Sequence, residues 1–445
     1  MSSGVKLSLK IFAGLFFTAF ILLALSIAPL DRTPIEEQTF YKKSIASVDS
    51  ATIHQFSGKD SLAVGWASVN ITPLQTLPMA GYRPRDRFET VHDSLFARVM
   101  VVDNGATTIA LITVDLLLFP PQLTTALNDA LKDKVDFIYL SATHTHNSVG
   151  AFDNTIGGEL ISGTYDQAWV NTLSSKIQEA VQLAISNKIR ANMAYGESYA
   201  QDLVANRLRR SGQKDGTVRS ILVERADGSK GVFFTFSAHA TSIDKKALTL
   251  SADYPGSVIE KLKLNGIDFS MYMAGMVGSH RVEYKMMRMV GFPLMDTFST
   301  ALSKRILHTQ YNEAVTTANI SFANVSLTFG EPQMRILENW RIRPWLFNAM
   351  LNPLQGSLTY LKMGNITLVG TPCDFSGELY LNHLKNYGDP LMITSFNGSY
   401  IGYITEDAAY DEINRTEVRN MNWVGPYHGR FMAELIEGLI NNSEH

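Results

Sequence analysis

The chain has 445 residues, 45% of them apolar and 18% charged, a balance that fits a folded globular body and excludes a disordered tail, a collagen-like fibre or a polytopic channel. Thirty-nine Lys and Arg stand against 42 Asp and Glu, and the formal charge of -3 gives no electrostatic footprint for nucleic acid. A single cysteine, Cys373, excludes an intrachain disulfide and a thiolate metal cage, which leaves imidazole, carboxylate or phenol to hold any metal.

Lys6 and Lys10 precede an apolar run over residues 11–30, closed by Asp31 and Arg32. As a helix this run is about 30 Å long, the thickness of a bilayer core, and basic residues before a span leave the bulk of the chain outside the cytoplasm. Residues 1–30 therefore read as a transmembrane signal anchor or, through the small-x-small stretch Ala24-Leu25-Ser26, as a cleaved signal peptide, retention being favoured. The body is expected to be extracytoplasmic, anchored to the membrane or secreted after cleavage. Residues 31–57 read as a polar linker or stalk, and residues 58–445 as one large domain.

Within that domain, β-branched runs bounded by turn signals predict strands over 96–102, 108–114, 137–141, 220–223, 232–237, 320–327, 358–369 and 392–396. The 3.6-residue period predicts helices over 121–131, 169–186, 254–264, 293–308, 377–387 and 429–441. Their interleaving predicts an α/β fold with mixed β-sheets flanked by helices, preceded by the N-terminal transmembrane helix.

Two strands end in histidine. The first runs into Ala142-Thr-His-Thr-His146, and alternation sends His144 and His146 to one face, a geometry that suits a metal. The second ends in Ser237-Ala-His239, followed by Ser251-Ala-Asp253, and by itself reads as a core histidine satisfied by Asp253. Cys373 is expected to pack as a small apolar residue, as are Met286, Met287 and Met289 with Phe292 and Leu294, with a pliable wall for an acyl chain as the sharper alternative. Trp340, Trp345 and Phe347 are likewise expected to pack inside, with lipid contact as the alternative.

Several blocks in order resemble the neutral (non-lysosomal) ceramidase family: Met79-Ala-Gly-Tyr82, Val91-His-Asp-Ser-Leu-Phe-Ala-Arg98, Thr113-Val-Asp115, Ala142-Thr-His-Thr-His146, Asn206-Arg207, Ser237-Ala-His-Ala-Thr-Ser242, Ser251-Ala-Asp253, Thr371-Pro-Cys-Asp-Phe375, Tyr400-Ile-Gly-Tyr-Ile-Thr405 and Gly425-Pro426. The resemblance implies a zinc-dependent hydrolase of N-acylated lipids that cleaves a ceramide-like amide to fatty acid and amine. It assigns the Zn2+ ligands to His144, His239, Asp374 and Tyr403. It places His146 beside the metal as oxyanion donor or proton shuttle and Arg207 as a fixed cation for developing negative charge. Asp115 and Asp253 would support the site from behind, in turns or by orienting imidazoles.

Departures from the family pattern fall near this chemistry. Asp374 stands for a glutamate one methylene longer. The family's Gly-Asp-Val-Ser-Pro-Asn block reads Gly275-Met-Val-Gly-Ser-His280, so Gly278 occupies the serine column and Ser279 is the candidate to bring the hydroxyl back. A Tyr-Glu-Gly block is replaced by Asn414-Arg-Thr-Glu-Val-Arg419, bringing Arg415 or Arg419 near. The family's C-terminal immunoglobulin-like domain has no counterpart before His445. These departures keep two alternatives open: a non-catalytic membrane-tethered metal- or lipid-binding scaffold, and a lipid esterase using the same site.

Overall fold

The computed structural model describes residues 3–58, 61–82, 85–284, 288–312, 318–387 and 390–443. Met286 and Met287 lie outside the described residues.

Two sheets packed face to face, with helices on both outer faces, give the mixed α/β domain that the interleaved pattern predicts. In the larger sheet the order is Phe269–Ala274, Lys230–Phe236, Thr217–Arg225, Ile189–Tyr199, Leu62–Asn70, Phe96–Asp103, Thr108–Val114, Phe137–Ala142. Only the outermost pair at each end is parallel. The smaller sheet runs His54–Phe56, Ile320–Leu327, Gly356–Met363, Ile366–Gly370, Leu391–Thr394. Strand alternation sorts the side chains into layers. Met100 and Val102 join Leu361, Leu368 and Met392 between the sheets. Val99 and Val101, one residue out of step, meet Leu173 and Ile177 of helix Gln167–Ser186 on the outer face.

The larger sheet curls until its two edges touch. Thr113 Oγ1 donates to Tyr272 O at 2.9 Å, and the Ser395 backbone N–H donates to Ala274 O at 2.9 Å while Ser141 Oγ donates to Ser395 O at 2.9 Å. Because the edges meet, the loops leaving strand Phe137–Ala142 and strand Lys230–Phe236, six strands apart in the order, converge on one spot.

Sequence expectations fail in four places. The 358–369 strand is a hairpin, broken at Gly364, whose φ of 60 reverses the chain. The 377–387 helix shortens to Gly377–Leu379 followed by a π-helical turn, Tyr380–Leu384. Residues 31–57 are not a linker: helix Thr39–Asp49 buries Ser44 and Val48 against the smaller sheet and helix His428–Asn442, and His54–Phe56 pairs with Ile320–Leu327. Finally, the N-terminal run is helical only over Ser3–Ser26. Ile27–Pro29 leave the helix to pair with Trp340–Ile342, and Leu30 is buried. Among the described residues no helix is long and apolar enough to cross a membrane, so the transmembrane expectation is not supported.

His428 shows how tightly the supposed linker is tied in. Its ring stacks on Phe40 at 5.4 Å and its Nδ1–H donates to Pro426 O at 2.9 Å. Burial pushes this imidazole down to about 4, partly offset by its backbone hydrogen bonds. The folded protein thus refuses a proton that the unfolded chain accepts near pH 6.5, so the stability due to neutral His428 is full above 6.5 and lost as pH falls towards about 4. Replacing His428 by Gln removes this one proton. In urea unfolding between pH 6.5 and 4.5, the wild type should lose stability relative to His428→Gln by up to about 1.4 kcal/mol per pH unit. Parallel pH curves for the two proteins would refute neutral burial.

Candidate metal centre and its cavity

Five residues from four separate segments meet where the sheet edges close. His144 and His146 follow strand Phe137–Ala142, and His239 follows strand Lys230–Phe236. Asp374 and Tyr403 are register partners in the short parallel pair of Asp374–Phe375 with Tyr403–Ile404, so one hydrogen-bonded ladder sets carboxylate beside phenol. One ring nitrogen from each of His144, His146 and His239 lies within 4.8 Å of the others. His239 Nε2 is 3.2 Å from Asp374 Oδ1 and 2.9 Å from Tyr403 Oη; His144 Nε2 is 3.5 Å from Asp374 Oδ1 and 3.2 Å from His146 Nε2.

The hydrogen bonds behind these rings fix their tautomers. A carbonyl can only accept, so His144 donates Nδ1–H to Leu117 O at 2.7 Å and His239 donates Nδ1–H to Val277 O at 2.8 Å. Both Nε2 atoms then present lone pairs inward, as metal-bound histidines held from behind by carbonyls do. His144 takes a left-handed backbone, φ 58, and its ring stacks at 4.1 Å on Phe396, itself at φ 65. Strained backbone of this kind persists only where the surroundings over-determine it.

The charge state follows from burial. Desolvation pushes His144 down to about 3, against the pull of Asp374, and holds His146 and His239 well below the usual imidazole range. The same burial raises Asp374, opposed by His144 and by Tyr400, whose Oη donates to Asp374 Oδ2 at 2.7 Å. Asp374 Oδ1 and His146 Nδ1 are buried without a hydrogen-bond partner among the described residues. A carboxylate oxygen facing two imidazole lone pairs is an unfavourable arrangement that a cation relieves. The donor set, imidazoles with one carboxylate and one phenol, fits a borderline divalent ion such as zinc.

The remaining predicted site residues are placed as follows. Arg207 lies beside this cluster, its guanidinium 5.9 Å from the Tyr403 ring centroid and ion-paired with the buried Glu417. Burial works against its charge, but Tyr403 and Glu417 outweigh it and hold the guanidinium's affinity for its proton above the ordinary value. Ser279 is not brought to the cavity wall: it is fully buried and its Oγ lies 3.2 Å from His280 Nδ1. Asp115 and Asp253 orient no imidazole. Asp115 Oδ2 accepts from Arg98 Nη1 at 2.7 Å and the Phe96 N–H at 2.8 Å, and Asp253 accepts from the Ser242 and Tyr254 N–H groups. Arg415 lines the cavity, whereas Arg419 does not.

That cavity has a volume of about 1080 Å³, just above the roughly 300–1,000 Å³ usual for small-molecule sites. His144, His146, Arg207 and Tyr403 open onto it, and Leu117, Leu118, Ile138, Leu140 and Leu354 give it apolar walls. Sequence reasoning missed Tyr82, whose ring lies 4.8 Å from His146, and the clamping role of Glu417. Tyr82, Tyr400 and Glu417 all stand inside blocks that the sequence displays, but nothing local marks Glu417 as the partner of Arg207.

Residues 62–263 match the family described as neutral/alkaline non-lysosomal ceramidase, N-terminal. This stretch is similar to the neutral/alkaline ceramidase family. It carries His144, His146, Arg207 and His239, while Asp374 and Tyr403 come from the remainder of the chain. Neutral ceramidase from Pseudomonas aeruginosa has a similar fold, with a TM-score of 0.73 at 14% identity over 87% of this chain and 75% of that one. A ceramidase complexed with C2 superposes with a TM-score of 0.71 at 13% identity, over 87% and 76% of the two chains.

Gly278 joins two departures from the ceramidase pattern. Its N–H donates to Phe375 O at 2.9 Å, and a Cβ there would stand 2.5 Å from Asp374 O. The absent side chain lets the Asp374 strand sit close, where a carboxylate on a shorter arm still reaches the imidazoles. Gly278→Ser should therefore displace Asp374 and weaken metal binding about 10–100-fold, measured by competition with a chromophoric chelator. Unchanged affinity would mean that the close approach does not matter.

Proposed function

We propose that this protein is a zinc-dependent amidohydrolase that cleaves the amide bond of N-acylated, ceramide-like lipids to a fatty acid and an amine, working at a membrane surface on the extracytoplasmic side. The observation that carries the reading is Asp374 Oδ1 held without a hydrogen-bond donor between the Nε2 atoms of His144 and His239, directly behind the wall that His144, His146 and Tyr403 give to a large, partly apolar cavity. His144, His239, Asp374 and Tyr403 are the residues that would hold the ion. Zinc bound there would supply Lewis acidity at the scissile carbonyl and lower the pKa of water.

The protein's own residues divide the rest of the work. His146, neutral through burial and with Nδ1 free, is suited to take a proton and return it to the departing amine nitrogen. Arg207, fixed by Glu417, lays a positive field across Tyr403 and Asp374, which favours their anionic forms and also favours negative charge developing on the substrate oxygen. Apolar walls exclude water along the acyl chain.

Purified full-length protein should hold about one equivalent of zinc and release fatty acid from a panel of N-acyl lipids, with activity lost on chelation and restored by added zinc. His239→Ala and Asp374→Ala should each lose activity by about a hundredfold or more together with stoichiometric zinc. Zinc binding with no cleavage of any lipid amide would overturn the amidohydrolase reading: release from lipid esters alone would then assign an esterase, and no release a binding protein.

A further inference from the structure

The elements that wall the cavity also carry large apolar side chains into solvent. Helix Ile156–Ser162 sends Gly158, Ile161 and Ser162 to the cavity, yet Ile156 is 62% and Leu160 56% exposed. It packs on helix Pro344–Leu351, with Gly157 so close under Leu351 that a Cβ would come within 2.4 Å. Helix Pro344–Leu351 in turn places Leu351 in the cavity wall and leaves Trp345 57% exposed. Just before it, the hairpin of Arg335–Leu337 with Trp340–Ile342 exposes Ile336, Leu337 and Trp340 near its tip. Phe347 alone of the three aromatics turns inward, against Trp423.

The same hairpin holds the N-terminal helix. Its outer strand pairs with Ile27–Pro29, Trp345 Nε1–H donates to Leu25 O at 2.8 Å, and the Arg343 guanidinium donates to Ala24 O. Above this foot the helix exposes Phe12, Leu15, Phe16, Phe17 and Phe20, residues that fall at widely spread angles around its axis. A protein partner would cover one stripe of such a helix; a lipid phase covers all of it. Tryptophan and arginine at the foot are the side chains that favour the headgroup level of a bilayer.

We propose that helix Ile156–Ser162, helix Pro344–Leu351 and the 335–342 hairpin form a rim that docks on a lipid bilayer beside the N-terminal helix, so that the cavity mouth opens onto the acyl layer. The delivery part of this inference rests on the N-acyl lipid reading: the substrate would pass from bilayer to cavity along Leu160, Trp345 and Leu351 without crossing water. The docking part stands on the exposed residues alone and does not require the N-terminal helix to span.

Full-length protein is mixed with phosphatidylcholine vesicles bearing brominated acyl chains. Tryptophan emission should be measurably quenched, up to the share carried by two of the five tryptophans, and the quenching should shrink in Trp340→Phe and Trp345→Phe. In Leu160→Glu/Leu337→Glu, where both positions are exposed and a thermal melt checks the fold, turnover of vesicle-embedded long-chain ceramide should fall tenfold or more. Turnover of a water-soluble short-chain N-acyl substrate should stay the same. Absence of quenching, equal loss on both substrates, or sedimentation as a dimer through this face would overturn the inference. Quenching without hydrolysis of any amide would uphold the docking surface and count only against the proposed function.

Discussion

A buried carboxylate oxygen with two imidazole lone pairs turned on it is the constraint to which the rest of the structure answers. Leaving an ionised carboxylate out of water without partners costs several kcal/mol. Asp374 meets half of that demand through Tyr400 and leaves Oδ1 open. The neighbouring rings cannot help, because each has committed its N–H to a main-chain carbonyl. The arrangement is therefore poor as a hydrogen-bonded core and well formed as a receptor for a cation.

Building this receptor takes the whole domain. His144 and His239 leave strands that lie far apart in the sheet order, and only the curl of that sheet, stitched by Thr113 and Ser395, unites them. Asp374 and Tyr403 arrive from the other side, on a two-residue ladder continuous with loops of the smaller sheet. The left-handed conformations at His144 and Phe396 mark where two otherwise regular layers are forced into one point. The apolar walls around that point come from strand Phe137–Ala142 and the neighbouring loops, with Ile161 and Leu351 of two surface helices completing them.

Much of this was readable in advance, and for physical reasons. Strand 108–114 and helix 121–131 are found at their expected bounds because each carries an unbroken periodic pattern. Strands Ile189–Tyr199 and Leu62–Asn70 escaped notice because Gly196, Gly65 and polar residues interrupt their alternation, which is tolerated where neighbouring strands supply the context. Of the site residues, the ordered blocks pointed to the five that converge. Ser279 lies off the cavity wall, since which of two adjacent residues faces a site depends on a backbone direction that letters do not carry, and Glu417 was missed because its partner lies 210 positions away in the chain. Residues 31–57 looked like a stalk since their apolar positions are few; most of those few, such as Ile35 and Val48, are spent on the body.

The close seat of the 374–375 strand over Gly278 ties two substitutions into a single adaptation. Relative to the serine and glutamate expected from the ceramidase pattern, the smaller residue at 278 leaves room for the backbone that carries the shorter acid at 374. A lineage passing between the two solutions one residue at a time would cross an intermediate with either a crowded strand or an acid that stops short. Chimaeras that exchange this segment between relatives are therefore expected to need both positions from the same parent.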